Sequence, residues 1–162
     1  MIGQELSRQE SIIKYLTING TQAQYESAYD QMFDVLEQQF KDAKVPTEVW
    51  SELKSKKTMA INQVVSMLAS AYRDNFDKAD INTLIDFYSS GTGQQIVQDP
   101  TKLTKEQNKE LANFHESVTG QKMFEVRSKL EKDIAQISEY WSRDLYKGTV
   151  DGLIAKGYQP VY

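Results

Sequence analysis

Apolar residues recur every three or four positions along almost the whole chain. This spacing places them on one face of an α-helix, and no stretch alternates apolar and polar residues as a half-buried strand does. The clearest stripes are Tyr25, Tyr29, Met32, Phe33, Leu36 and Phe40; Val49, Leu53, Ala60, Ile61, Val64, Leu68 and Tyr72; and Met123, Val126, Leu130, Ile134, Ile137, Trp141 and Leu145. The pattern predicts an all-α fold, a single-domain bundle of about five to seven helices over residues 1–162.

Polar residues with capping chemistry divide this pattern into helices. The periodicity predicts a first helix at about 4–16, a third at about 47–75 and a long last helix at about 118–156. Three consecutive polar residues at 56–58 dilute the stripe of the third helix, so we expect a local bend there. Asp77 and Thr104 have the residue type and position of N-caps for two further helices.

Two segments of the chain resemble each other at a fixed offset. Residues 84–94 read LIDFYSSGTGQ and residues 111–121 read LANFHESVTGQ, an offset of 27 positions that also relates Asp77 to Thr104. Self-similarity at a fixed shift is typical of one supersecondary unit used twice. We therefore predict an internal repeat at about 77–98 and 104–125, with the two copies paired about a pseudo-twofold axis.

Each copy contains residues suited to a sharp corner between two helices. Ser90 and Ser117 can cap a second helix by accepting hydrogen bonds from its first backbone N–H groups. Gly93 and Gly120 lower helix propensity by about 1 kcal/mol relative to alanine, and close approach of another backbone would account for them. These four residues are predicted to form the structural corners.

A second interpretation gives the same region a binding role. Capping explains every residue type in the corners except the glutamines. Gln94 and Gln121, with Tyr88 and His115 beside them, could instead line a shared anion or ligand site together with the N-terminal amides. The sequence leaves both interpretations open.

The phrase FYSSGTGQ at residues 87–94, preceded by Tyr72-Arg73-Asp74-Asn75-Phe76, resembles the bacterial domain-of-unknown-function family 2059. Members typically carry a tyrosine near a helix end and then a phrase of the form FY-x-S-x-x-G-Q, which is echoed here at 114–121. This chain has Gly91 where relatives often carry proline. The resemblance implies an all-α fold and export to the periplasm behind a cleaved leader. It implies no activity and no catalytic residue.

Composition excludes several classes of function. The net charge is −4, from 23 acidic and 19 basic residues, and a nucleic-acid-binding protein usually needs a basic face. The chain has no cysteine and one histidine, so thiolate catalysis and multi-histidine metal sites are excluded, and we predict no cofactor. The most apolar stretch, 64–72, is far short of the ~20 residues of a membrane span. Because the N-terminus turns polar at once, we expect either a removed leader or a cytoplasmic protein.

Three functional hypotheses follow from these observations. The preferred one is an exported, non-enzymatic binding module whose partner is a protein, a peptide or a small apolar ligand. Its groove would lie between the corners or beside the C-terminal aromatic residues Tyr140, Trp141, Tyr146, Tyr158 and Tyr162. The alternative is a hydrolase that uses His115 with a nearby carboxylate and serine. The third is a homo-oligomer whose apolar stripes are partly covered by a second copy.

Overall fold

A computed structural model describes residues 6–161 of the protein, and this part of the chain contains helices and loops but no strand. The α-helices are α1 (Arg8–Ile18), α2 (Thr21–Gln39), α3 (Thr47–Lys54), α4 (Lys57–Asn75), α5 (Lys78–Ser89), α6 (Gly91–Gln98), α7 (Lys105–Glu116) and α8 (Val118–Ala155). Single 3-10 turns follow α2 at Lys41–Ala43 and α6 at Pro100–Lys102. The predicted all-α fold is confirmed. The predicted start of the first helix, residue 4, lies outside the described residues.

Helix α4 forms the centre of the bundle, where it packs against α1, α2 and α8. Its Val64, Leu68 and Ala69 are completely buried. Full burial of a large apolar side chain stabilises a fold by about 1.5–3 kcal/mol. The other fully buried large side chains are Ile12, Tyr15, Leu16, Tyr29, Phe33, Leu36, Phe40, Phe76, Ile81, Leu84 and Leu153. Nearly all of the α2 and α4 members belong to the stripes that the periodicity identifies.

The predicted third helix is broken into α3 and α4. The Ser55 hydroxyl donates to the carbonyl of Glu52, and the Lys56 N–H bonds to the Leu53 carbonyl, only three residues back. Both contacts compete with the regular bonding of an α-helix. The break therefore lies at Ser55 and Lys56, and the rest of the polar run, residues 57–58, begins α4.

The long helix α8 crosses the bundle from the second corner to the C-terminus. It packs along α4 and contacts α5 and α7. Leu130, Trp141 and Leu153 are its buried large residues. Gly157, at φ 94°, ends it in the left-handed conformation, and the Tyr158 N–H then bonds back to the Leu153 carbonyl at 3.1 Å. Among the described helices, none has the length and apolar character needed to cross a membrane.

Candidate functional site

The α5–α6 and α7–α8 corners have nearly the same backbone geometry. Ser90 has φ −71° and ψ 163°, and Ser117 has φ −66° and ψ 163°. Each serine oxygen accepts from the N–H of the glycine three residues on, Gly93 or Gly120, at 3.1 Å. Each hydroxyl also donates to the carbonyl of the phenylalanine three residues back, at 2.5 and 2.6 Å. One side chain therefore ends the first helix and begins the second.

The corner glycines lie against the backbone of the preceding helix. An ideal Cβ on Gly93 would be 2.2 Å from the Phe87 carbonyl oxygen, and one on Gly120 would be 2.0 Å from that of Phe114. Real Cβ atoms do not approach carbonyl oxygens this closely. The corner can be this tight only with hydrogen as the side chain.

The two corners meet through their matching phenylalanines. The rings of Phe87 and Phe114 stack with centroids 4.1 Å apart and planes 5° from parallel. These residues are related by the offset of 27 positions. An aromatic pair contributes about 0.5–1.5 kcal/mol beyond the area that it buries. The stack ties α5 to α7.

Two buried threonines connect the copies in opposite directions. Thr92, at the start of α6, donates to the carboxylate of Glu110 on α7. Thr119, at the start of α8, donates to Asp80 Oδ1 on α5 at 3.0 Å. Thr92 and Thr119 occupy equivalent positions in the two copies. Their acceptors do not, because Glu110 lies about one helical turn beyond the position equivalent to Asp80. These contacts were not predicted from the sequence, although the identity of the threonines in the two copies was a signal for them.

Asp80 is the buried charge of the region, with 4% of its surface exposed. Its Oδ2 accepts from the Lys122 ammonium and from the Asp77 N–H, in addition to the Thr119 bond. Burial alone would raise the pKa of Asp80, but hydrogen bonds from Lys122, Asp77 and Thr119 outweigh burial and hold the pKa below its usual range. Asp80 thus anchors the first turn of α8 to the first turn of α5.

Both predicted glutamine ligands have intramolecular hydrogen bonds. The Gln94 amide donates to the carbonyls of Ile18, at 3.0 Å, and Tyr88, at 2.6 Å. The Gln121 amide donates to the Glu116 carbonyl at 2.9 Å. Carbonyls at helix ends lack partners within the helix, so these amides complete the ends of α1, α5 and α7. Capping of this kind accounts for glutamine at both positions.

Tyr88 and His115 match in the repeat but have different surroundings. Tyr88 packs edge-on against Tyr15 with centroids 5.7 Å apart, and burial raises its pKa. His115 is exposed, and its closest aromatic neighbour is Phe114, at 6.2 Å between centroids. The four predicted ligand residues are therefore divided: Tyr88 and Gln94 contact each other at the first corner, and His115 and Gln121 lie at the second.

His115 and Gln121 border a cavity of about 640 Å³ between α7 and α8. A second cavity of about 340 Å³ adjoins it. We name the two together the α7–α8 groove, defined by the four residues that line both: His115, Gly120, Phe124 and Arg127. The second cavity adds an apolar floor of Met123, Leu130, Ile134 and Tyr72. Burial raises the pKa of Tyr72 to about 12.

The rim of the groove has an unusually exposed aromatic side chain. Phe124 lines both cavities and is 78% exposed. Large apolar residues that stand in solvent beside a concave surface are typical of binding sites. Arg127, on the same rim, pairs with Glu131 at 2.9 Å. The groove is thus an apolar site with a charged edge.

The chemistry at His115 is limited by its surroundings. Among residues 6–161, no hydroxyl or carboxylate forms a hydrogen bond with its imidazole. A serine hydrolase needs both, with the base within about 3 Å of the nucleophile. The same part of the chain contains no cluster of three or more groups that could hold a metal ion.

The C-terminal aromatic residues have mostly structural contacts. Trp141 is buried and donates to the Ala60 carbonyl at 3.0 Å, and the Tyr146 hydroxyl donates to the side chain of Gln39 at 2.6 Å. Tyr158 packs against the core. Tyr140 is 59% exposed, and Tyr162 lies outside the described residues. Of this group, Trp141 and Tyr146 line a common cavity of about 370 Å³.

One comparison with known proteins agrees with the resemblance seen in the sequence. The family described as an uncharacterized protein conserved in bacteria, DUF2059, matches residues 62–107. The match confirms the suspected family resemblance and covers most of α4, the first corner and the start of α7. No curated protein and no solved structure gave a match.

Proposed function

We propose that this protein is a non-enzymatic binding module that holds a small apolar, lipid-like ligand in the α7–α8 groove. The observation that carries the proposal is the exposure of Phe124, which lines both adjoining cavities. A ligand that covers an exposed apolar side chain at the mouth of a cavity removes apolar surface from water. This burial favours binding by about 25 cal/mol per Å² of apolar surface.

The corner beneath the groove supports this proposal. Gly120, in the wall, belongs to the tightly packed second corner, and Asp80 holds the first turn of α8 in place. The groove is therefore formed by rigid helices, and a preformed apolar site binds at a smaller cost in conformational entropy.

A fluorescent apolar probe tests the groove. We expect N-phenyl-1-naphthylamine to bind with a fluorescence increase. We expect Phe124→Ser to raise its Kd up to about tenfold, because an aromatic contact contributes about 0.5–1.5 kcal/mol and about 1.4 kcal/mol is a factor of ten in Kd. Met59→Ser is the matched control, since Met59 is 73% exposed on another helix. An equal effect of both variants would contradict the proposal. Light scattering at two concentrations gives a second check. A dimer of the original protein that becomes a monomer in Phe124→Ser would also contradict the proposal, because a second copy would then cover the groove.

The hydrolase alternative has a separate test. We propose binding rather than hydrolysis because no described residue supplies His115 with a serine or a carboxylate. We therefore expect p-nitrophenyl acetate to be hydrolysed at its uncatalysed rate in the presence of the protein. Turnover of this ester that His115→Gln abolishes would favour the enzyme.

We also propose that the protein works in the bacterial periplasm, because export is what its resemblance to the family implies. Osmotic-shock fractionation of cells that produce the full-length native protein should release it with a periplasmic marker. Retention with a cytoplasmic marker would overturn this localisation.

A further inference from the structure

A second cavity, with a different chemistry, lies between the end of α2 and the start of α3. It has a volume of about 430 Å³ and shares no lining residue with the α7–α8 groove. Lys41, Lys44 and Lys54 line it, together with the aromatic side chains of Phe40 and Trp50. We name it the lysine cavity.

The lysine cavity has uncompensated positive charge. Lys54 is paired with Glu37, which also lines the cavity, at 2.5 Å. Lys41 and Lys44 have no acidic partner within residues 6–161. Both side chains are exposed to solvent at the mouth of the cavity. An anionic ligand would provide the missing partner.

The backbone at Lys44 ends the 3-10 turn beside the cavity. Lys44 is the C-cap of the turn at Lys41–Ala43, with φ 53° and ψ 48° in the left-handed region, a common way for a helix to end. It is the only non-glycine residue with positive φ among the described residues. Glycine or asparagine is favoured in this conformation.

The apolar wall limits the kind of anion. Phe40 is 1% exposed, and Trp50 packs edge-on against it and against Phe33, with centroids 6.4 and 6.3 Å apart. Trp50 remains partly exposed on the cavity side. A ligand there meets aromatic surface and ammonium groups together.

We propose that the lysine cavity binds a small carboxylate with an apolar or aromatic body, with its carboxylate at Lys41 and Lys44 and its body against Trp50. This site is separate from the proposed apolar groove, and neither proposal depends on the other.

Titration of the amide ¹H–¹⁵N spectrum with 1-naphthoate tests the proposal. We expect saturable shifts concentrated in residues 40–54. We expect the neutral analogue 1-naphthalenemethanol to bind there at least tenfold more weakly, because it lacks the charge. Inorganic phosphate should likewise bind more weakly, because it lacks the apolar body. Binding of either probe as tight as that of naphthoate would overturn the proposal.

The variant Lys41→Gln/Lys44→Asn removes both unpaired charges and is expected to weaken naphthoate binding about tenfold. Asparagine tolerates the left-handed conformation, so this variant should fold at least as well as the original protein. Lys105→Gln/Lys109→Gln, on exposed positions of α7, makes the same change in net charge and should leave the Kd unchanged. Phe124→Ser should also leave it unchanged. Equal weakening by the two lysine pairs would show a nonspecific charge effect and refute the site.

Discussion

Replacing Gly93 with alanine should lower the free energy of unfolding by about 3 kcal/mol, the upper part of the range for overpacked sites. The new Cβ would lie 2.2 Å from the Phe87 carbonyl oxygen and 2.5 Å from the Tyr88 Cα. Both are backbone atoms, so no side-chain rotation can relieve the clash. Helix α6 must move away from α5 and lose its close packing at the corner. Urea denaturation followed by circular dichroism measures the effect.

Gly91→Ala is the matched control for this prediction. Gly91 lies two positions earlier in the same helix, and a Cβ on it would meet no atom within 4 Å. Alanine there should change stability by less than about 1 kcal/mol, with stabilisation expected from its better helix propensity. If Gly93→Ala and Gly91→Ala had the same effect, close packing at the corner would not be the reason for glycine.

Gly120→Ala extends the same prediction to the second corner. Its Cβ would lie 2.0 Å from the Phe114 carbonyl oxygen, so the loss of stability should be similar to that at Gly93. Gly148, in the same helix, has open space around it and is the matched control. A large loss at one corner and none at the other would contradict the equivalence of the two corners.

Replacing Asp80 with alanine should lower the free energy of unfolding by about 2–3 kcal/mol. The change removes the capping-box contact to the Asp77 N–H and leaves the buried Thr119 hydroxyl without its acceptor. Loss of a cap costs about 1 kcal/mol, and an unsatisfied buried group about 1–3 kcal/mol. Thermal and urea denaturation check the value. Asp151→Ala, which breaks an exposed pair with Lys147, is the control and should have little effect.

The contribution of Asp80 should depend on pH in a defined direction. Its pKa in the folded protein lies below the usual value, whereas an aspartate in the unfolded chain titrates near about 3.9. The stabilisation is therefore complete above the unfolded pKa and is lost as the pH falls through the folded pKa. The difference in stability between the original protein and Asp80→Asn should be constant from pH 6 to 8 and should shrink below about pH 4. A difference that grows in acid would contradict this assignment.

Several parts of the structure could be predicted from the sequence because they depend on local chemistry. The spacing of apolar residues identifies the helices and most of the α2 and α4 core, since a helix places residues three and four apart on one face. The capping boxes at Asp77 and Thr104 form as the sequence predicts, and each involves residues three positions apart. The phrase at 87–94 was sufficient for the family resemblance.

Other features depend on which segments the fold brings together. The stacking of Phe87 on Phe114 requires α5 and α7 to lie side by side, and sequence separation carries no information on ring geometry. Asp80 and Lys122 are 42 positions apart, and nothing local indicates that they meet. The sequence also could not predict the different surroundings of the candidate ligand residues, because it is the packing of the bundle that buries Tyr88 against Tyr15 and leaves His115 in solvent.

The sequence by itself determined the all-α class, the helix caps and the two similar phrases, because capping and helical periodicity are interactions among near neighbours in the chain. Only the tertiary structure decided where apolar surface stays exposed, at Phe124, and where positive charge stays unpaired, at Lys41 and Lys44. The physical reason is that exposure and pairing depend on every segment that packs nearby. A residue's type sets what it can contact, and the packing of the whole bundle sets what it does contact.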